Sequence, residues 1–364
     1  MEYGLFIMPL HPPRRPVADT YDDDLQTLIA AEQLGYSEAW IGEHFTSAWK
    51  NIPCPDLLIA KAAGRTERIR LGTGVVLMPF HNPLEVALRA ATLDHLTRGR
   101  LMLGIGSGGI DGDRRAFGID PTGPEAAALT REGIDVVEKA WAGEPFRYEG
   151  RFFKYDVPAP NDALQTGILL RPYQQPHPPI AIAGVSRSSA GLALAGERGW
   201  IPLSTNFLQP DVLRLHWASI ASGAEKAGRK PTRRTWRIAR EIYVADTHDR
   251  AIRDARDGAM ARAFSEYMLP LVAGGPYGLQ AFKPTEGEVP DSAITIDYLI
   301  ENVWIVGSPD ECAAKLRGLY ESVGGFGTVL MIGHDWHPHR EKWQRSMELF
   351  AETVMPRVKD LVAD

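Results

Sequence analysis

The sequence predicts an α/β protein in which eight strand–helix units close into a (β/α)8 TIM barrel, with insertion loops at the carboxyl-terminal face of the strands. Apolar strand-like segments alternate with segments of helical periodicity along the chain. Alternations joined by right-handed crossovers close naturally into a barrel, and an open doubly wound sheet is the alternative. The length of 364 residues suits one barrel with insertions as well as two domains. We expect a single domain over residues 1–364.

Each predicted strand is a short apolar run, as expected for a parallel sheet that is covered on both faces. The eight strands are predicted at Tyr3–Met8, Glu38–Gly42, Ile69–Leu77, Leu101–Ile105, Pro179–Ala183, Gly199–Leu203, Arg237–Val244 and Gly327–Ile332. Apolar residues recur every three to four positions in the segments between them. These segments predict helices at Thr20–Leu34, Pro55–Thr66, Pro83–Leu96, Ala126–Trp141, Arg187–Gly196, Pro210–Ala227, His248–Ala261 and Ser308–Val323.

Two long connections interrupt this alternation, at about residues 143–178 and 268–302. The first is rich in Pro, Gly and aromatic residues, and the second contains the sequence LVAGGPYGLQAFKPTEGEVP. Loops of this length are often lids over an active site, although an oligomer contact is an equally good explanation. We therefore treat both connections as insertions into the barrel.

The composition indicates a protein that acts on a small molecule. The chain is 44% apolar and 24% charged and has a net charge of −6, with acidic and basic residues interspersed. A nucleic-acid or anionic-membrane surface would need a concentrated basic patch. No apolar run reaches the length of a membrane span, and the N-terminal MEYGLFIMPL lacks a signal pattern, so we expect a cytoplasmic protein. The two cysteines, Cys54 and Cys312, indicate neither a disulfide nor a zinc site.

The fourth predicted strand ends in a run of glycines. After Leu103 the chain reads GIGSGG, which places glycine at 104, 106, 108 and 109. Such a segment predicts that backbone is cleared for a flat or phosphorylated ligand. The run is not a dinucleotide-binding fingerprint, because it lacks the spacing of GxGxxG and follows the fourth strand instead of the first.

His44 is the leading candidate for a catalytic residue. The second strand ends in AWIGEHF, which places Glu43 and His44 at the mouth of the barrel. An imidazole at that position can relay a proton or donate a hydrogen bond to a reactive oxygen adduct, because its pKa lies near the working pH. The alternative is a hydrogen-bonded structural histidine.

An anion site is predicted where the fifth strand ends at Gly184. The following turn supplies the hydroxyl groups of Ser186, Ser188 and Ser189 and the charge of Arg187, and a helix begins close by. Free amide groups and the helix dipole favour a phosphate at such a position. The alternative is that the serines act only as helix caps.

A third polar cluster, GHDWHPHREKW, follows the last strand and contains His334, Asp335, His337 and His339. We considered a metal site, but the residues occupy consecutive turn positions and no second strand end offers a matching carboxylate–histidine pair. We therefore predict no metal, and expect a polar rim in which tryptophans shape the pocket wall.

These motifs together resemble the bacterial luciferase-like flavin-dependent monooxygenases over nearly the whole chain. The resemblance rests on IGEHF, on the run IRLGTGVVLMPFHNPLEVALRAATLDHLTRGRLMLGIGSGG, on HPPIAIAGVSRSSAGLALAGERG and on VGSPDE before the last predicted helix. Within the family, NIPCPDLLIA, NVWIVGSPDE and GGFGTVLMIGHDW are most similar to the limonene monooxygenase and diketocamphane monooxygenase branch.

The resemblance implies a TIM barrel that binds reduced FMN, with reduced FAD as the alternative, delivered by a separate NAD(P)H-dependent flavin reductase. In the family, O2 forms a flavin C4a-peroxide, and His44 lies where a histidine stabilises that adduct or relays its proton. The implied flavin-binding residues are Met8, Pro9, Thr73, Gly74, Val75, Gly106 and Ser107 along the ring and ribityl chain, and Gly184, Val185, Ser186, Arg187 and Ser188 at the phosphate.

The chain departs from the family at Ser107, where many relatives have an arginine. A hydroxyl group is not equivalent to a guanidinium as a phosphate partner. Either Arg187 replaces the missing contact, or the pocket is widened for FAD.

Aromatic residues near the predicted mouth indicate an apolar substrate pocket, and they are Phe45, Trp49, Phe80, Tyr267, Trp304 and Trp336. A terpenoid, a cyclic ketone or an aldehyde would suit such a pocket. The resemblance also implies a homodimer. The competing functions are a deazaflavin-dependent reductase or dehydrogenase of the same barrel family and a flavin-binding protein without turnover.

Overall fold

Eight parallel strands form a closed barrel in the computed structural model, which describes residues 1–8, 10–120, 123–275, 278–285 and 287–364. The barrel strands are β1 (Glu2–Ile7), β2 (Glu38–Ile41), β3 (Arg70–Leu77), β4 (Leu101–Gly106), β7 (Ile180–Gly184), β8 (Ile201–Ser204), β9 (Arg237–Arg240) and β12 (Thr328–Ile332). Around the barrel their order is β1, β12, β9, β8, β7, β4, β3 and β2, and β2 pairs with β1 to close the ring. The predicted (β/α)8 fold is confirmed.

The seventh predicted strand, Arg237–Val244, is two strands. Its first half is β9, and its second half, β10 (Ile242–Val244), leaves the barrel and pairs with β11 (Ile305–Gly307). The break falls at Glu241, whose side chain is fully buried. Both halves are buried, and the break coincides with the adjacent charged residues Arg240 and Glu241.

Each of the eight predicted helical segments is helical in the structure, with His248–Ala261 divided into two helices. The sequence did not predict the helices at Asp111–Ala116, Leu269–Ala273, Ile296–Asn302, Arg340–Leu349 and Met355–Arg357. The α-helices are α1 (Val17–Gln33), α2 (Pro55–Ala63), α3 (Pro83–Leu96), α4 (Asp111–Ala116), α5 (Glu125–Ala142), α6 (Ala190–Arg198), α7 (Pro210–Lys226), α8 (His248–Asp257), α9 (Ala259–Ala263), α10 (Leu269–Ala273), α11 (Ile296–Asn302), α12 (Pro309–Val323), α13 (Arg340–Leu349) and α14 (Met355–Arg357). π-helical turns lie at Phe264–Met268 and Phe350–Val354, and 3₁₀ turns at Met78–Phe80, Arg233–Thr235, Gly278–Phe282 and Asp291–Ala293. None of the helices in the described part of the chain combines the length and apolar composition that a membrane crossing requires.

The barrel interior is filled by side chains. Phe6, Trp40, Met102 and Leu330 belong to a buried cluster inside it. Gly72 makes room for Trp40, because a Cβ at that position would lie 2.5 Å from the indole ring. We therefore expect a ligand site at the ends of the strands instead of inside the barrel.

Three of the four glycines after Leu103 accommodate neighbouring protein atoms instead of clearing backbone for a ligand. A Cβ at Gly104 would lie 2.1 Å from the carbonyl oxygen of Thr73, and one at Gly106 would lie 2.5 Å from Val75. Gly108 has a positive φ of 75°. Only at Gly109 would a Cβ meet no described atom within 4 Å.

The two insertions have secondary structure of their own. The first contains an antiparallel hairpin of β5 (Phe146–Glu149) and β6 (Lys154–Val157). The second contains α10 and α11. Helices α9 and α10 are joined directly by the π-helical turn at Phe264–Met268. π-helical turns are frequent at functional sites.

Candidate active site

His44 lies at the carboxyl-terminal mouth of the barrel, as predicted, and α4 holds its ring. Its Nδ1 atom is 3.2 Å from Oδ2 of Asp113. The other oxygen of Asp113 accepts hydrogen bonds from the backbone amides of Phe45 and Thr46 and from the Thr46 hydroxyl group, at 3.2, 2.7 and 2.6 Å. The carboxylate therefore fixes both the imidazole and the loop that carries it.

The electrostatic surroundings keep His44 uncharged at neutral pH. Burial, together with the neighbouring charge of Lys50, lowers the pKa of His44 to about 4, although Asp113 opposes the change. Burial alone would raise the pKa of Asp113, but the hydrogen bonds from His44 and Thr46 outweigh it and lower that pKa. The neutral imidazole therefore donates from Nδ1 to a carboxylate and presents Nε2 as an acceptor.

Lys50 is a residue of this site that sequence reasoning missed. Its side chain is buried, and Nζ lies 3.5 Å from Nε2 of His44 and 5.5 Å from the centroid of the Tyr267 ring. A single lysine in the loop segment SAWKNIP is typical of a solvated surface, so the sequence carries no signal for it.

Glu43 does not face the mouth as a free carboxylate. It accepts a hydrogen bond from the amide of Leu77 at 2.6 Å and lies 2.7 Å from Nε2 of His81. The other ring nitrogen of His81 is 3.1 Å from the guanidinium of Arg89. Glu43 therefore ties the end of β2 to the end of β3, which is a structural role.

Two groups of aromatic side chains lie on the loop that carries His44. Phe45 packs against Phe80 and Phe117 with ring centroids 5.6 and 4.8 Å apart. Trp49 stacks on Tyr267 at 5.7 Å, and the hydroxyl group of Tyr267 lies 2.8 Å from Oγ of Ser47. Four of the six predicted pocket residues thus lie in two aromatic groups on or against the loop that carries His44, and two of them, Trp49 and Phe80, are buried there.

The other two predicted pocket residues, Trp304 and Trp336, lie in the core instead. Trp304 packs edge-on against Phe264, and Trp336 stacks between Tyr243 and Trp343. Their side chains are 2% and 5% exposed. Periodicity and composition cannot separate a buried tryptophan from one that lines a pocket.

A second buried polar cluster joins three neighbouring strand ends on the far side of the mouth. Glu241, after β9, accepts a hydrogen bond from the amide group of Asn206 at 2.5 Å and contacts Nε2 of His334. Within the described residues, Nδ1 of His334 is buried without a hydrogen-bond partner. The sequence indicated His334 but not Glu241, because the break in the seventh strand was not predicted.

The rest of the predicted polar rim is divided between a buried ion cluster and the surface. Asp335 lies 2.8 Å from Nδ1 of His11 and also accepts a hydrogen bond from Arg15. His337 and His339 are exposed. His334 and Asp335 thus belong to two different clusters, and the backbone amide of His337 donates a hydrogen bond to Asp335 at 3.0 Å.

The predicted anion site has a free donor. The described residues provide no hydrogen-bond partner for a buried guanidinium nitrogen of Arg187. Helix α6 begins at Ala190, after the cap Ser189, whose side chain accepts a hydrogen bond from the amide of Leu192. The helix begins later than predicted and leaves residues 185–188 as a loop in front of its N-terminus.

A chain of hydrogen bonds fixes this loop to the barrel. Trp236 donates to Oγ of Ser204 at 2.9 Å, and that hydroxyl group lies 2.9 Å from Nδ1 of His216. Nε2 of His216 is 2.8 Å from the carbonyl oxygen of Ser186. Burial lowers the pKa of His216 to about 4, so a neutral imidazole donates to Ser186. The chain holds the loop in place without adding a charge to it.

The residues predicted to contact the flavin ring and ribityl chain differ in burial and in the groups that they bind. Thr73 is buried, and its hydroxyl group bonds to the backbone of Gly104, so its side chain links two strands. The Gly74–Val75 peptide is cis and lies at an irregularity in the pairing of β3 with β4. Ser107 lies 2.9 Å from the Thr130 hydroxyl group. Met8 is half-buried at the end of β1, and Pro9 lies outside the described residues.

These features fit a flavin nucleotide better than a free cation or a large polymer. The unpartnered guanidinium nitrogen of Arg187 and the amide groups at the start of α6 can hold a phosphate. The neutral His44 and the aromatic groups on its loop suit an apolar ring system beside the mouth.

Comparisons with known proteins agree with this geometry. The model of the luciferase-like monooxygenase family matches residues 1–325. The chain is 37% identical to 4-hydroxyprotoasukamycin monooxygenase of Streptomyces nodosus subsp. asukaensis, over 98% of this chain and 92% of that protein. It is 30% identical to limonene 1,2-monooxygenase of Rhodococcus erythropolis, over 98% and 86%.

Among solved structures, the chain is similar to the oxygenating constituent of 3,6-diketocamphane monooxygenase from Pseudomonas putida, a type II Baeyer–Villiger monooxygenase in complex with FMN. The TM-score is 0.91 with 31% identity, and the match covers 98% of both chains. The resemblance inferred from the sequence, including the limonene and diketocamphane branch, is confirmed.

Proposed function

The chain belongs to the luciferase-like monooxygenase family, and we propose that it uses reduced flavin and O2 to oxygenate a small hydrophobic organic substrate. The observation that carries the proposal is the full-length similarity to an FMN-bound oxygenating constituent. We propose reduced FMN as the cofactor and a separate NAD(P)H-dependent flavin reductase as its supplier. A homodimer is part of the same proposal.

Bound reduced flavin would supply the electrons that activate O2, so that one oxygen atom enters the substrate and the other leaves as water. The flavin phosphate would lie at residues 184–188, where Arg187 has a free buried donor. Arg187 would then replace the arginine that many relatives carry at the position of Ser107. The smaller FMN suits this arrangement, since a single phosphate is sufficient to engage the guanidinium and the start of α6.

His44 would orient the reacting groups, because the bond between its Nδ1 and Asp113 fixes the ring in one position. The aromatic groups on the loop that carries His44 would bind the substrate and exclude water. A terpenoid, a cyclic ketone or an aldehyde fits such a pocket, and the named relatives act on diketocamphane, limonene and 4-hydroxyprotoasukamycin. The cluster of Asn206, Glu241 and His334 offers polar contacts to an oxygen function on the far side of the substrate.

Replacing Arg187 with alanine tests the cofactor assignment. We expect the affinity for reduced FMN to fall by about 10- to 100-fold, since a charged hydrogen bond contributes about 1.5–3 kcal/mol. The affinity for reduced riboflavin, which lacks the phosphate, should remain unchanged. Anaerobic titration calorimetry with both flavins and with reduced FAD measures these affinities.

The matched control is Arg198→Ala, which removes an arginine at the other end of α6 that pairs with Glu138. It should leave the affinity for both flavins unchanged. If Arg187→Ala weakens FMN and riboflavin equally, or weakens neither, then Arg187 does not hold the phosphate. The assignment of FMN is wrong if the wild-type protein binds reduced FAD more tightly than reduced FMN.

A further inference from the structure

Lys50 is buried at a position where its charged ammonium group lowers the stability of the fold. Its exposed fraction is 5%, and no carboxylate of the described residues lies within ion-pair distance of its Nζ. Its hydrogen-bond partner is Nε2 of His44 at 3.5 Å, and the Tyr267 ring lies beside it. A buried ammonium with so little compensation destabilises the fold, which points to a purpose other than stability.

We propose that Lys50 is a positioning residue of the oxygenation site, which donates a hydrogen bond to Nε2 of His44 and thereby holds His44 in the neutral form with its proton on Nδ1. The inference rests on the proposed function, because it assigns Lys50 to the site at which we place oxygenation. It adds a residue that neither the sequence motifs nor the likeness to relatives indicated.

The three side chains form a line from a cation through an imidazole to an anion. Nζ of Lys50 lies 3.5 Å from Nε2 of His44, and Nδ1 lies 3.2 Å from Asp113. The ammonium has only donors and the carboxylate only acceptors, so each end of the line dictates one ring nitrogen. The arrangement selects the tautomer of His44 with the proton on Nδ1.

The charged groups around the imidazole determine the pKa values of His44 and Lys50. Lys50 faces it from the same loop, Asp113 faces it from α4, and Tyr267 faces Lys50 from the π turn. Burial lowers the pKa of Lys50 to about 8, against the opposing effect of Asp113. Burial and Lys50 lower the pKa of His44 to about 4. Between these values the ammonium is charged and the imidazole is neutral, so Lys50 acts on His44 as a hydrogen-bond donor and a fixed positive charge.

The test uses flavin-free protein labelled with [¹⁵N]histidine, whose two ring nitrogens report protonation and tautomer by NMR. The signals of His44 are assigned by their loss in His44→Gln. In the wild-type protein at pH 6–7, we expect neutral His44 with the proton on Nδ1. In Lys50→Met, which removes the charge and keeps the side-chain length, we expect at least a tenfold gain in proton affinity, so that the pKa rises from about 4 to above 5.

The matched control is Lys61→Met, because Lys61 is exposed and pairs with Asp22 on the surface. This variant should leave the titration of His44 unchanged. The inference is overturned if wild-type His44 carries its neutral proton on Nε2, a result that needs no variant to fold. It is also overturned if a folded Lys50→Met protein titrates His44 as the wild type does.

Failure of this inference is distinguishable from failure of the proposed function. The NMR result concerns the flavin-free protein and does not depend on turnover. If His44 responds to Lys50 but reduced flavin does not bind, the positioning role stands and the assignment of the site to oxygenation fails.

Discussion

At the residue scale, Gly104 and Gly109 differ in what surrounds them. Gly104 lies inside β4 against the carbonyl oxygen of Thr73, whereas a Cβ at Gly109 would meet no described atom within 4 Å. The distinction separates a glycine required by the sheet from one that faces open space at the mouth.

The matched substitutions Gly104→Ala and Gly109→Ala test this distinction. Gly104→Ala should destabilise the protein by about 3 kcal/mol or more, because a Cβ 2.1 Å from a backbone oxygen forces the strands apart. Gly109→Ala should change the free energy of unfolding by less than about 1 kcal/mol. Urea unfolding followed by circular dichroism provides both values. Equal effects of the two substitutions would contradict the packing described for β4.

The sequence placed His44 correctly because a polar residue directly after an apolar parallel strand must lie at the mouth of a barrel. It could not place Lys50, since what buries the ammonium is the packing of Tyr267, more than 200 residues away in the chain. Nor could it exclude Trp304 and Trp336 from the pocket, because both tryptophans are equally apolar in the core and at a binding wall.

At the element scale, the loop after β1 is tied to the loop after β12. His11 bridges Asp24 in α1 at 3.1 Å and Asp335 at 2.8 Å. Burial alone would lower the pKa of His11, but the hydrogen bonds with the two carboxylates outweigh it and raise the pKa to about 9. His11 is therefore charged at neutral pH and holds the two loops together.

This ion cluster should make stability depend on pH in a specific range. Because the folded pKa of about 9 exceeds the ordinary value of 6.5, the contribution of His11 is complete below pH 6.5 and is lost as pH rises through 9. Its upper limit is about 3 kcal/mol. The difference in unfolding free energy between wild type and His11→Gln should therefore shrink by up to that amount between pH 6 and pH 10.

Urea unfolding of both proteins at the two pH values measures the difference, and the comparison cancels titrations that both proteins share. A difference that stays constant with pH would show that His11 does not bind its proton more tightly in the folded state.

The sequence also predicted the positions of helices and strands better than the points at which one strand ends and another begins. Periodicity located α3 from Pro83 to Leu96 without error, because Asn82 and Pro83 mark its start. The same reasoning joined β9 to β10, although the charged pair Arg240–Glu241 lies where the hydrogen-bond partners change. Such a change of partner depends on the tertiary structure, and a strand pattern does not contain it.

At the scale of the whole molecule, the two ends of the barrel differ in chemistry. At the amino-terminal end, Arg237 forms a bidentate pair with Glu38 at 3.1 and 2.8 Å, and Trp40 donates to the same carboxylate at 2.8 Å. These polar groups satisfy one another and close the barrel. At the other end lie the poorly compensated charge of Lys50 beside His44 and the Glu241–His334 pair, in which Nδ1 of His334 has no hydrogen-bond partner among the described residues. The division agrees with catalysis at the strand C-termini.

The central claim is that this end binds reduced FMN and controls its reaction with O2. The most direct measurement mixes the anaerobic complex of protein and reduced FMN with O2 in a stopped-flow spectrometer, for the wild type and for His44→Ala. We predict that oxidised flavin appears in the wild type after a delay and more slowly than from free reduced FMN, and that His44→Ala binds FMN equally well but loses the delay. Oxidation in a single phase at the rate of free FMN, or failure to bind FMN together with tight binding of a reduced deazaflavin, would contradict the account.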